Sequence, residues 1–199
     1  MKIQVALDVT DRNAALQIAE AVADYVDIIE AGTPLIKACG MPVVEDLKSF
    51  GREVLADTKT MDAAELEGKL ARDYGADYFT VLAVAPENTL RNALRVSGIK
   101  KAVDLIGLHD KVEPAQRFSK DFDVVVLHTG IDEGLFSPEG LEPLKGLPNI
   151  AVAGGINLGN LASVVDALRP EIVIIGRAIT AEKDPRTAAK KIREVLECL

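Results

Sequence analysis

In the segment LADTKTMDAAELE, Asp57 and Lys59 stand two residues apart and Asp62 follows three further on. Side chains two apart on an extended chain share a face, which would set a carboxylate beside an ammonium. A lysine bracketed by carboxylates stays protonated and can stabilise an anion developing next to it. Plainer readings attach to the residues singly: Asp57 and Lys59 as an ion pair, Asp62 with Glu65 as a helix capping box. For Asp62 alone the cap is the better reading; the three together at one rim read as catalytic.

Glu30 closes the segment VDIIEAG, and with Asp57 it would offer two oxygen ligands to magnesium, an ion that takes few carboxylates and keeps waters that substrate oxygens can replace. Taken alone, Glu30 is equally a partner for Lys59. Asp8, at the end of QVALD, either organises its neighbours or accepts a bond from the loop that follows. His128 closes VVVLHTG, a position suited to a general acid or base, with a structural histidine under a loop as the alternative. The other histidine, His109, falls in a charged loop and is given no role. AVAGGI and VIIGRAI bring Gly154, Gly155 and Gly176, where backbone N–H groups can approach an anion, and Arg177 would add a charge-assisted contact.

These residues share a position, since each closes or follows a short run rich in Val and Ile. Such runs recur at 3–7, 27–31, 53–56, 77–82, 101–106, 123–127, 150–153 and 171–175. Between them lie segments of helical spacing, as in Ala14, Ile18, Ala21, Val22 and Tyr25, or Ala188, Ile192, Val195 and Leu196. Strict alternation predicts a parallel sheet with right-handed crossovers, and eight repeats predict an α/β fold of one (β/α)8 TIM barrel over residues 1–199. A doubly wound open sheet is the competing arrangement, disfavoured because no GxGxxG follows the first run. Barrel closure would gather Asp8, Glu30, Asp57, Lys59, Thr80, Asp104, His128 and the glycines on the C-terminal rim, where active sites of this architecture lie. So much charge on one rim is costly unless a metal, a lysine or a ligand offsets it.

The bulk properties agree with one domain. The 199 residues suffice for a single core, and a 48% hydrophobic composition without tryptophan rests on Ala, Val, Ile and Leu, as in parallel α/β proteins. A formal charge of −8 argues against nucleic acid as a partner, though a few positive groups and backbone dipoles can hold one small anion. No apolar run is long enough for a bilayer, and the charges in MKIQVALD come too early for a signal-peptide core, so the expected location is cytoplasmic. Cys39 and Cys198 lack CxxC spacing and nearby histidines and read as ordinary thiols.

Taken together, QVALD, DIIEAGTPLI, ADTKTMDA, TVLA, HTGID, VAGGI and IIGRAIT resemble, nearly end to end, the orotidine-phosphate decarboxylase suprafamily and, within it, the hexulose-6-phosphate synthases. The aspartate-x-lysine-x-x-aspartate pattern is common to the suprafamily and fixes no reaction. Glu30 stands where the nucleotide decarboxylases carry lysine, which points to the metal-dependent branch. Ile131 stands where the keto-gulonate-phosphate decarboxylases (KGPDC) have arginine, and KTMDA where they tend to show KIADA; both departures favour the synthases.

The resemblance implies a reversible condensation of formaldehyde with ribulose 5-phosphate through an enediolate, with Mg²⁺ (or Mn²⁺) on Glu30 and Asp57. It implies that His128 moves the proton, Lys59 stabilises the enediolate oxygen, and Asp8 orients Lys59 or a substrate hydroxyl. The backbone of Gly155, Gly176 and Arg177 would hold the phosphate, and Asp62 would reach into the partner subunit's site of a homodimer. Decarboxylation of a keto-gulonate phosphate is the alternative activity, followed by orotidine-phosphate decarboxylation and by a noncatalytic sugar-phosphate-binding barrel.

Overall fold

Val- and Ile-rich runs that bury both faces need cover on both sides, and here the cover is a ring of helices outside and the strands' own side chains inside. The computed structural model describes residues 1–199. Its strands are β1 (Lys2–Leu7), β2 (Ile28–Ala31), β3 (Glu53–Thr60), β4 (Tyr78–Leu82), β5 (Lys100–Asp104), β6 (Val124–His128), β7 (Ile150–Ala153) and β8 (Ile172–Ile175). They pair in chain order, all parallel, and β1 closes on β8 through Lys2↔Ile172 to Val5↔Ile175. The predicted (β/α)8 barrel is the observed one, and the open sheet is excluded by that closure.

The alternation of side chains along each strand separates two cores. On β6, Val125 and Leu127 face outward to the helices, while Val124 and Val126 join Ile28, Leu55, Ala102, Ala151 and others in an inner cluster. The helices are α1 (Arg12–Val22), α2 (Thr33–Cys39), α3 (Pro42–Lys48), α4 (Ala64–Asp73), α5 (Glu87–Leu94), α6 (Val112–Phe118), α7 (Leu161–Leu168), α8 (Arg177–Thr180) and α9 (Pro185–Glu197). Asp11 caps α1 by accepting from Ala14 N–H at 2.7 Å, and Asp184 caps α9 through Thr187. The deepest faces of α1 and α9 are Ala15, Ala19, Val22 and Ala189, Ile192, Leu196, which shifts parts of the two expected stripes by one residue.

The N-terminal end of the barrel is closed by a charged layer. Glu53 accepts from Lys2 Nζ (2.6 Å), Lys100 Nζ (2.9 Å) and Tyr78 Oη (3.0 Å), and Lys100 lies over the Tyr78 ring. Burial pushes the Glu53 carboxyl up, but these donors outweigh it and bring it down to about 2.

One strand departs from the expected boundaries in a way that matters to the site. β3 runs on past Ala56 to Thr60, and its register against β4 shifts: Ala56 pairs with Phe79 and Thr60 with Val81. Lys59 adopts a left-handed φ of 44° within this bulge. Asp57 and Lys59 therefore do not meet by simple two-residue alternation.

Candidate active site

The bulge puts Asp57 and Lys59 into direct contact, with Lys59 Nζ 2.9 Å from Asp57 Oδ2. Asp57 is buried at 3% exposure and accepts from two hydroxyls besides: Oδ1 from Thr80 (2.8 Å) and Oδ2 from Thr33 (2.7 Å). Lys59 reaches a second carboxylate at the end of β5, with Nζ 3.0 Å from Asp104 Oδ2. Burial works against the Lys59 charge, but Asp57 and Asp104 outweigh it and hold the ammonium well above the ordinary lysine range.

Asp104 is shared. His128 Nδ1 lies 2.9 Å from its Oδ2 and 3.1 Å from its Oδ1, and Ile106 N–H donates to Oδ1 at 2.9 Å. Burial opposes the Asp104 charge, but His128, Lys59 and the Ile106 amide keep the carboxyl below its usual range. An ionised carboxylate only accepts, so His128 carries its proton on Nδ1 and keeps Nε2 as the free basic nitrogen. The result is one connected wall running from Asp57 through Lys59 and Asp104 to His128.

Beside that wall, Glu30 is buried on β2, one oxygen accepting from Gln4 Nε2 at 2.6 Å. Burial first, and then the charges of Asp57 and Asp8, push its carboxyl well above the usual range. Asp8 stands open to the cavity mouth, where partial desolvation against the barrel wall and the nearby Asp57 raise it as well. Four carboxylates, those of Asp8, Glu30, Asp57 and Asp104, thus crowd toward one lysine. No group of three or more His, Cys, Asp or Glu side chains converges as a complete ligand cage.

These groups line a cavity of about 470 Å³ whose floor includes Leu55, Val126, Ala153 and Ile174. Gly155, Gly176 and Arg177 also line it. Gly154 and Gly155 have φ of 114° and 65°, and a Cβ on Gly154 would collide with the Thr129 carbonyl, so position 154 requires glycine. Gly155 N–H has no hydrogen-bond partner within the chain. Arg177 begins α8 at the surface, and Ile131 and Leu135 stand exposed at the mouth.

Asp62 is the expected residue that lies apart. It is exposed, outside the cavity of its own chain, and it does not form the capping box. Ala63, with φ 55°, occupies the N-cap of α4 without a side-chain cap; Asp62 accepts only from Ala63 N–H (2.7 Å), and Glu65 pairs with Lys69 instead. The left-handed turn at Ala63 carries the aspartate one residue too far to reach the third helical amide. Conversely, Gln4 and Thr33 were unmarked in the sequence, and Asp104 and Thr80 appeared there as rim residues without a role. Gln4 was detectable as a polar residue at an inward position of an apolar strand.

This fold and rim define a class. The chain belongs to the orotidine 5'-phosphate decarboxylase / HUMPS family, whose model matches residues 1–192. A 3-hexulose-6-phosphate synthase from Mycobacterium gastri is 40% identical over 98% of this chain and 100% of that protein. The crystal structure of 3-hexulose-6-phosphate synthase from Salmonella typhimurium superposes with a TM-score of 0.91 at 35% identity, over 100% of this chain and 99% of that one. A crystal structure of KGPDC from Streptococcus mutans gives 0.85 at 27% identity, over 99% and 97%. No helix is long and apolar enough to cross a membrane.

Proposed function

We propose that this chain is a lyase of the 3-hexulose-6-phosphate synthase type, joining formaldehyde to ribulose 5-phosphate in a reversible aldol reaction. The observation that carries the reading is the sharing of Asp104 by Lys59 and His128, which presents a fixed cation and a free imidazole nitrogen to one cavity. The similarity to synthases over the whole chain supports it, as does an apolar Ile131 at the mouth, where the resemblance assigns arginine to KGPDC.

His128 Nε2 takes a proton from the substrate carbon next to the ketose carbonyl, and the ammonium of Lys59 donates to the enediolate oxygen that results. The carbon then forms a bond to the formaldehyde carbon, and the alkoxide left on the formaldehyde oxygen takes the proton back from His128. Asp104 stabilises the imidazolium between those two transfers. Asp8 orients Lys59 or a substrate hydroxyl. The free N–H of Gly155, with Gly176 and Arg177, holds the phosphate.

Glu30 and Asp57 fit a divalent cation: they are hard oxygen donors from adjacent strands, and with Asp8 they leave negative charge that Lys59 alone does not balance. When bound, Mg²⁺ or Mn²⁺ supplies a Lewis acid to the ketose oxygens. Met61, which precedes Asp62, and Leu66 and Leu70, one turn apart on the α4 that follows it, are exposed apolar side chains, which supports a homodimer with Asp62 directed into the partner's cavity. A cytoplasmic location suits such a metabolic enzyme.

The test is an assay of the purified chain with ribulose 5-phosphate and formaldehyde, with Mg²⁺ and then with EDTA. Loss of formaldehyde with formation of a six-carbon phosphate, abolished by EDTA and by Lys59→Ala, is the expected result. Untouched formaldehyde together with carbon dioxide release from a keto-gulonate phosphate would replace the synthase by the decarboxylase. Ligand binding that survives Lys59→Ala, with no turnover on either substrate in the wild type, would mark a noncatalytic barrel.

A further inference from the structure

Three consecutive residues of β3, Asp57, Thr58 and Lys59, stand opposite a single residue of β4, because the register passes from Ala56↔Phe79 directly to Thr60↔Val81. That residue is Thr80, and it is bonded to all three. Its hydroxyl donates to Asp57 Oδ1 (2.8 Å) and accepts Lys59 N–H (2.8 Å), while its carbonyl accepts the Thr58 hydroxyl (2.7 Å). The directions are forced: a carboxylate accepts, a backbone N–H donates, and one hydroxyl has one proton to give. Thr80 is 3% exposed, so bulk water has little access to take over either bond.

The conformation held in this way is one that lysine does not choose. A left-handed φ brings the Cβ of such a residue against its own carbonyl, and this strain persists only where surrounding bonds determine it. On a regular strand the Cα atoms of Asp57 and Lys59 would be separated by roughly 6.6 Å along the chain. In the bulge, Lys59 Nζ meets both Asp57 and Asp104.

We infer that Thr80 is a positioning residue for Lys59: by tying the Lys59 amide to the Asp57 carboxylate through one hydroxyl, it fixes the bulge that aims the ammonium. This rests on the reading of Lys59 as the group that stabilises the enediolate. Thr80 acts through Lys59 and Asp57, since its one proton and the lone pair facing β3 are already taken.

The experiment compares Thr80→Val, which keeps the shape and removes the hydroxyl, with Thr80→Ser, which keeps the hydroxyl, and with Lys59→Ala, all as the full chain with Mg²⁺. Thr80→Val is expected to lower kcat by ~10- to 100-fold with KM for ribulose 5-phosphate within about threefold, the pattern of a group needed in the transition state. Hydrogen exchange of the Lys59 amide should accelerate by ~10-fold or more in Thr80→Val while β5 amides keep their protection. Thr80→Ser should restore both readouts to near the wild type. Should Thr80→Val fail to fold, Thr80→Ala lacks the same hydroxyl without filling its space and carries the same expectation. Wild-type kcat in the hydroxyl-less variant alongside an inactive Lys59→Ala overturns the role of Thr80 and leaves Lys59 in place. Full activity in Lys59→Ala overturns the reading of Lys59 itself. A Thr80→Ser variant as slow as Thr80→Val would assign the effect to methyl packing and also refute the inference.

Discussion

His128 Nδ1 lies 2.9 Å from Asp104 Oδ2, and this contact decides which imidazole nitrogen faces the substrate. Asp104→Asn keeps the shape but sets an amide NH₂ either in place of Oδ2, against Lys59 and His128, or in place of Oδ1, against the Ile106 N–H, all of them already donors. It also removes the charge that stabilises the imidazolium. Steady-state kinetics should show kcat lowered by ~100-fold or more, in the range that positioned acid–base catalysis supplies, with a smaller change in KM. An unchanged kcat would remove Asp104 and His128 from the mechanism.

Glu30 gives a prediction of opposite sign for stability and activity. Its carboxyl is raised in the folded chain, so without a cation its ionisation opposes folding, and stability declines as pH rises above the ordinary glutamate value of 4.5. Glu30→Gln keeps an oxygen for Gln4 and discards the charge. In EDTA at pH 7 the variant should melt at least about 2 °C above the wild type. The wild type should gain thermal stability on addition of Mg²⁺ and the variant should not, while turnover is lost. A variant that melts lower in EDTA, or that still responds to Mg²⁺, contradicts the assignment.

At the other end of the barrel, Glu53 predicts an acid limb. Its carboxyl lies at about 2 in the folded chain against 4.5 ordinarily, so its contribution is complete above pH 4.5 and disappears as the pH falls toward 2. Solvent screening at this partly exposed site reduces the expected effect to ~1 kcal/mol. Urea unfolding of Glu53→Gln should give that loss at pH 7, and the gap from the wild type should narrow steadily as the pH falls from 4.5 toward 2. A constant gap across that window would show that the carboxylate charge is not what Lys2 and Lys100 stabilise.

Leu66 is 70% exposed on α4, one helical turn before the exposed Leu70. In sedimentation equilibrium the wild type should appear at two chain masses and Leu66→Asp at one, with unchanged far-ultraviolet circular dichroism. If the wild type sediments as a single chain at micromolar concentration, the apolar face is not a subunit contact and Asp62 has no partner site to enter.

Most of the architecture was legible because parallel strands buried on both faces leave a plain record: eight apolar runs, each within a few residues of its strand. The rim was legible for a related reason, since Asp8, Glu30, Asp57 and His128 end or follow apolar runs and the closure rule brings such ends together. What escaped were relations that exist only across the sheet. The spacing of Asp57 and Lys59 suggested two side chains on one face, but their contact arises from a bulge templated by Thr80, 21 residues from Lys59. Asp104 was visible as a strand end, yet its bonds to Lys59 and His128 depend on barrel curvature that no local pattern encodes. The Asp62–Glu65 spacing matched a cap that the left-handed Ala63 prevents.

The layer of Lys2, Glu53, Tyr78 and Lys100 makes the barrel a vessel with one doorway. Ile131 and Leu135 stand at that doorway, and whatever reaches Lys59 passes it into a cavity of about 470 Å³. Entry and exit therefore share one threshold, so whatever narrows it slows arrival and departure alike.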